Sequence, residues 1–228
     1  NGAPAPDRDR FFFSPVHYAL VLYAALIETG RLAPKGLDMF NVDGGTVEMI
    51  GAEHSPGHEV TAGSLAQCLS QAAGVALARR LKGETGRTIV FMSDGEFQEG
   101  QTWEAFAALA FHGLDRVAVI VDANAQQCDG AMEAVGHIEP LGARLEAFGA
   151  RVVEIDGHDP VALVRALDAP PEGRPTVVIA RTDPCRGVDA LRPRSPRLHY
   201  VRFAQPTERQ PFQALLDAWD AEAAEVGA

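Results

Sequence analysis

With 228 residues, 46% of them apolar, 22 glycines and 15 prolines, the chain is long enough for one sizeable core of α/β type, and a single domain is the expectation. Its formal charge of −11 argues against non-specific binding to nucleic acid or anionic membranes, although backbone N–H groups can still hold an anion locally. The longest unbroken apolar run, Tyr18 to Ile27, falls well short of the ~18 residues that a membrane span needs, so it reads as a buried helix.

In chain order, the apolar period predicts a helix over Pro15 to Thr29, then a glycine-rich irregular region over 30–61 with no sustained period. Irregular stretches of that length in compact domains are usually functional or interfacial. A long helix over Ser64 to Leu81 precedes a strand over Thr88 to Met92, a turn at Asp94, a helix over Thr102 to His112 and a strand over Val117 to Val121. A helix over Pro140 to Phe148, a strand over Val152 to Ile155, a helix over Pro160 to Leu167 and a strand over Thr176 to Ala180 follow. The tail over 187–228 is rich in Pro and Arg before a last helix over Glu208 to Ala224. Strands alternating with helices imply right-handed βαβ units: an α/β fold, doubly wound, with a mostly parallel sheet covered by helices on both faces. Ligands of such sheets sit beyond the carboxyl ends of the strands.

No charged stretch leads into a cleavable apolar segment, and Cys68, Cys128 and Cys185 cannot all pair and show no metal-ligand spacing. A cytoplasmic location is therefore expected.

The most informative segment runs from Ser93 to Gln126: S-D-G-E-F-Q-E-G, an amphipathic run, then V-A-V-I-V-D-A-N-A-Q. It sets the carboxylate of Asp94 and the amide of Asn124 thirty positions apart, each just past an apolar strand-like run. Two neighbouring strand ends bearing oxygen donors can hold one hard cation, and magnesium keeps positions for a substrate's phosphate oxygens. An Asp-Gly turn by itself is common in ordinary loops. The segment Thr61-Ala-Gly-Ser-Leu-Ala-Gln-Cys-Leu-Ser places small residues at a helix start, where backbone can approach a ligand closely and Ser64 could equally serve as an N-cap.

The wording D-G-E-F-Q-E-G-Q-T-W-E-A with an Asn thirty residues on resembles the thiamine diphosphate motif of transketolases. In that family the Asp and Asn side chains and the carbonyl two residues past the Asn bind the magnesium that carries the cofactor's diphosphate. The resemblance thus implies thiamine diphosphate and Mg2+ as cofactors, Asp94, Asn124 and Gln126 as metal ligands, and Gly95 and Glu96 beside the diphosphate, with Glu96 also able to cap the turn. The family's first Gly of this motif is Ser93 here, and its Asn-Asn or Arg-Asn pair reads Ala123-Asn124. Gly63, Ser64 and Leu65 match the family's T-G-S-L segment, which lines the aminopyrimidine end of the cofactor. Ala66 and Cys68 replace two further family glycines.

D-R-F-F-F-S-P-V-H resembles the family's D-R-F-x-x-S-x-G-H, so His17 falls on a histidine at the diphosphate side, where an imidazole can donate a hydrogen bond and titrate near neutrality. His199 falls at the distance of a family histidine that bears on cofactor and substrate oxygens. Glu99 matches a glutamate that relays toward the neighbouring subunit's activating glutamate. A family histidine of a Gly-His-Pro turn would fall near Ile50-Gly51-Ala52, where none stands; His54 and His58 are near enough to substitute. An earlier substrate histidine of the family has no counterpart.

The resemblance covers nearly the whole chain and implies the N-terminal half of a split transketolase. Its partner would be a C-terminal, pyrimidine-binding subunit, in an α2β2 assembly. The implied activity is transfer of a two-carbon ketol unit from a ketose-type donor to an aldehyde, by covalent catalysis on the cofactor. The alternatives are a thiamine diphosphate enzyme acting on 2-oxo acids and a non-catalytic scaffold subunit; the retained Asp94, Asn124 and Glu99 speak against the last.

Overall fold

A computed structural model describes residues 5–226. By its internal contacts the chain divides into two compact units. The first runs through Ala123 and resumes over Ile138–Thr182; the second comprises Asn124–His137 and the chain from Asp183 onward.

The first unit is a parallel five-stranded sheet. Its strands are β1 (Arg10–Phe13), β2 (Thr88–Ser93), β3 (Val117–Ala123), β6 (Arg151–Asp156) and β7 (Thr176–Arg181), in the order β1-β2-β3-β7-β6. Every pairing is parallel. The inner strands β3 and β7 are buried along almost their whole length, as parallel strands covered on both faces must be, and read as Val- and Ile-rich runs. The edge strand β6 alternates between half-buried and exposed residues and carries Arg151, Glu154 and Asp156, the charge that keeps an edge from pairing further.

Helix α1 (Ala19–Glu28) is preceded by a 3-10 turn over Val16–Tyr18, and α2 (Gln67–Leu81) and α3 (Gly100–Phe111) flank β2 in the chain. α2 packs on β1, β2 and α3; α5 (Leu141–Ala147) packs on β6, and α6 (Pro160–Asp168) on β6 and β7. α1 buries Ala19, Leu22, Tyr23 and Leu26 against Phe13 and Val47. The start of α6 is capped by Asp159, whose side chain accepts from the N–H groups of Val161 and Ala162.

Several elements differ from the sequence reading, among them β1, the start of α2, and the short elements over Gln126–Gln127, Gly130–Ala131 and Met132–Val135, for which the sequence shows no period. β1 was not anticipated as a strand, because a four-residue edge strand is defined by its pairing with β2, more than seventy residues away, and not by a local period. α2 starts at Gln67 instead of Ser64, since Ala66 holds a left-handed backbone (φ 69) that breaks the helix at that point. The irregular region over 30–61 contains a 3-10 turn over Pro34–Met39 and is otherwise loop. Polar contacts pin it: Tyr23 Oη donates to Glu48 O at 2.9 Å, Ser55 Oγ to Glu48 Oε2 at 2.8 Å, and Arg10 Nε to Glu59 Oε1 at 2.6 Å.

The second unit contains the antiparallel hairpin of β4 (Gln126–Gln127) and β5 (Gly130–Ala131), the short helix α4 (Met132–Val135) and the final helix α7 (Gln210–Val226). Within it Phe203 packs against Phe212 at 5.3 Å between ring centroids, with the guanidinium groups of Arg194 and Arg209 each 5.4 Å from the Phe203 ring. No helix among the described residues is long and apolar enough to cross a membrane.

Candidate functional site

β2 ends at Ser93, and the chain turns at once into a 3-10 turn over Asp94–Gln98. Ser93 and Glu96 close this turn reciprocally as a capping box. Asp94 therefore stands at the carboxyl end of β2, buried to 3% exposure, and Gly95 is half-buried beside it. β2 pairs with β3 up to Ser93 and Asp122, and Asn124 is the first residue of the chain past the end of β3.

Glu96, expected at the cofactor, is turned inward instead. Its side chain has 0% exposure and both oxygens are engaged: Oε1 accepts from Ser14 Oγ and from the backbone N–H of Ala66 at 3.1 Å, and Oε2 from the N–H of Ser93 at 2.9 Å and from Ser93 Oγ at 3.4 Å. Burial drives its carboxyl above the ordinary range, and the four donors oppose that rise. Ser14 is the serine of the D-R-F-x-x-S-x-G-H match, to which the sequence assigns no role of its own, and the Ser-x-x-Glu spacing of a capping box signals the Ser93 part of this network.

Gly63, Ser64 and Leu65 are exposed, immediately before Ala66, whose N–H ties this segment to the turn after β2. A side chain on Gly63 would meet open space, so the backbone there is accessible to a ligand. Ser64 makes no helix cap, because α2 begins three residues later and its N-cap residue, Ala66, has no capping side chain. His17 is exposed at the 3-10 turn that follows β1, its ring 4.4 Å from that of Tyr18. The first unit thus brings His17, the 63–65 segment and Asp94 to the carboxyl ends of β1 and β2.

Glu99 occupies the N-cap position of α3, exposed, and its side chain makes no capping hydrogen bond. Its carboxylate is turned to the surface, where a neighbouring subunit could meet it.

In the second unit, Asn124 Oδ1 accepts the backbone N–H of Gln126 at 2.9 Å across Ala125, which holds a left-handed backbone (φ 58). The carbonyl of Ala125 accepts the N–H of Met132 at 2.9 Å, fixing the loop against α4. His199 is half-buried against Tyr200, ring centroids 4.7 Å apart. Of the two histidines near the missing Gly-His-Pro position, His54 is exposed and paired with Glu48 at 2.9 Å, whereas His58 is buried.

The donors offered by Asp94, Asn124 and the carbonyl of Gln126 are all oxygens, the set that suits magnesium and not a soft metal. The open backbone at Gly63 and the exposed 63–65 segment likewise suit a flat cofactor laid along a strand end. Within the first unit, the carboxylate of Asp94 at a strand end and the open backbone at Gly63 are donors and space of the kind a Mg2+-diphosphate group takes.

A sequence profile described as "Transketolase, thiamine diphosphate binding domain" matches residues 2–191. The chain is 40% identical over 215 residues to a transketolase family protein, y4mO, of Sinorhizobium fredii, covering 92% of this chain and 76% of that protein. It is 33% identical over 180 residues to the 6-deoxy-6-sulfo-D-fructose transketolase subunit SqwG of Clostridium sp., covering 78% of this chain and 66% of that protein. It is 32% identical over 197 residues to an apulose-4-phosphate transketolase subunit of Actinobacillus succinogenes, covering 86% of this chain and 71% of that protein. Among solved structures, transketolase from Campylobacter jejuni superposes with a TM-score of 0.74 at 28% identity, covering 82% of this chain and 32% of that one. The match thus spans about a third of that longer enzyme. The profile match, the sequence likeness and the superposition agree that this chain belongs to the transketolase family, as its thiamine diphosphate-binding domain.

Proposed function

We propose that the chain is the cofactor-holding subunit of a two-subunit transketolase that moves a two-carbon ketol unit from a ketose-type donor to an aldehyde acceptor. In this reading residues 1–228 act as one thiamine diphosphate- and Mg2+-binding domain, and a separate pyrimidine-domain subunit completes the site in a cytoplasmic α2β2 assembly. The observation that carries it is the placement of Asp94, on a capped turn at the end of β2, beside the exposed 63–65 segment that the same turn anchors. Support comes also from relatives that are themselves named as transketolase subunits.

When bound, thiamine diphosphate supplies the nucleophilic carbon that breaks and remakes the carbon–carbon bond. Asp94, Asn124 and the carbonyl of Gln126 would hold Mg2+ against the diphosphate, with Gly95 giving the backbone room to approach. Gly63, Ser64 and Leu65 would line the aminopyrimidine end. His17 can donate a hydrogen bond to a phosphate oxygen, and His199 can do the same toward cofactor or substrate oxygens. Glu99 would relay to the partner's activating glutamate. The buried Glu96 does none of this directly.

The test is calorimetry of thiamine diphosphate and Mg2+ with the chain and its partner together, followed by assays with ketose phosphates against pyruvate as donor. The expected result is Mg2+-dependent binding and turnover of a ketose phosphate. Absence of cofactor binding, with unchanged activity in Asp94→Ala, would overturn the reading; turnover of pyruvate alone would move it to the 2-oxo acid class.

A further inference from the structure

The Glu96 carboxylate joins three segments far apart in sequence: Ser14 at the end of β1, Ala66 at the start of α2, and Ser93 at the end of β2. Each segment leads directly into residues named for the cofactor, respectively His17, Gly63 to Leu65, and Asp94. A fully buried carboxylate is costly unless hydrogen bonds satisfy it, and here two backbone N–H groups and two hydroxyls do so. Its main chain is fixed as well, since Thr102 Oγ1 donates to Glu96 O at 2.5 Å and thereby ties the turn to α3. Ala66 holds a left-handed backbone that is strained for an alanine, while donating its N–H to this carboxylate. Cys68 is fully buried, and burial followed by the Glu96 charge pushes its thiol up to about 12. Ala66 and Ser93, two of the places where glycines of the resembling motifs are replaced, therefore both hydrogen-bond Glu96.

We propose that Glu96 is a positioning residue: it touches no cofactor and sets the mutual register of the three cofactor-bearing segments, with Ser14 as its partner on β1. The proposal rests on the functional reading above for what those segments hold, but not for the linkage itself. Supporting groups that lock the geometry of ligand-bearing residues control affinity without entering the chemistry.

The experiment compares the full chain with Glu96→Gln, which keeps the shape and removes one acceptor oxygen. Hydrogen exchange without cofactor is expected to rise at least tenfold together at residues 14–17, 63–66 and 93–95, with β6 and β7 unchanged. With the partner and Mg2+ present, the dissociation constant for thiamine diphosphate should rise at least tenfold while kcat at saturating cofactor stays within twofold. Faster exchange confined to 93–95, or a lost kcat with unchanged affinity, would overturn the proposal. If Glu96→Gln does not fold, Ser14→Ala serves: exchange should rise at 14–17 and also at 63–66, and a response limited to 14–17 would sink the idea. Should the wild-type complex bind no thiamine diphosphate, the functional reading falls and the exchange pattern still decides the linkage.

Discussion

The imidazole of His58 stands where a side chain at Gly51 would have to go: a Cβ on Gly51 would lie 2.0 Å from His58 Nε2. The ring is 4% exposed and set edge-on against Phe13 and Tyr23, at 6.1 and 6.0 Å between centroids. Position 51 is thus closed to any side chain as long as His58 keeps its place. Gly51→Ala should push the ring out of its packing and destabilise the chain by about 1 to 3 kcal/mol. Urea unfolding would show the loss, and the double variant Gly51→Ala with His58→Ala should recover part of it.

His58 also sets a pH dependence. Its Nδ1 lies 3.2 Å from the carbonyl of Pro56 and so donates, leaving the buried Nε2 with its lone pair and no hydrogen-bond partner among the described residues. Burial lowers its pKa below 6.5, opposed by the Pro56 carbonyl and by the charge of Glu48; the neighbouring groups that face it are otherwise Tyr23 and the aromatic Phe13. The unfolded chain therefore takes up a proton that the folded chain refuses. Stability on this account is fully present above 6.5 and falls as the pH drops below it toward the folded value, by at most about 1.4 kcal/mol per pH unit. Denaturant midpoints from pH 7 to pH 5 should fall more steeply for the wild type than for His58→Asn; equal slopes would show that His58 is not the group responsible.

Arg79, at the last turn of α2, is buried and spends its guanidinium on four partners: Glu84 Oε2 at 2.8 Å and the carbonyls of Arg87, Pro6 and Arg8. It ties α2 to the segment that leads into β1. Arg79→Met keeps the stem but strips these donors from a half-buried carboxylate and from three carbonyls, so a loss of about 3 kcal/mol or more is expected. A thermal midpoint unchanged from the wild type would contradict this account.

Glu99 offers a cleaner separation of function from folding. Because its side chain is exposed and caps nothing, Glu99→Gln should alter the stability of the chain by no more than about 0.5 kcal/mol. With the partner present, turnover should fall about a hundredfold, within the range of a lost acid–base contribution. Activity retained within twofold would remove Glu99 from the relay.

The strands β2, β3, β6 and β7 and the helices α3, α5 and α6 were legible in the sequence, as was the placement of Asp94 past a strand end, because each rests on a local apolar period or a short motif. The inward turn of Glu96 was not legible. Its donors Ser14 and Ala66 lie 82 and 30 residues away along the chain, and no local pattern encodes a partner at that distance. The later start of α2 was not legible either, since it comes from the left-handed backbone of Ala66 (φ 69), which no local pattern announces. The filling of the space beside Gly51 by His58 likewise depends on how the region over 30–61 closes, and that region has no period to read.

Fold class, family and the residue types available to a metal and a diphosphate all follow from the amino-acid order alone, since hydrophobic period and motif spacing are local properties of the chain. Both carboxylates are buried, and which of them is enclosed by hydrogen bonds from distant segments follows from packing in three dimensions. Asp94 and Glu96 are two residues apart with the same chemistry, and it is the packing of β1 and of the segment before α2 against the end of β2 that gives Glu96 its donors from Ser14 and Ala66 and keeps Asp94, also buried, at the strand end.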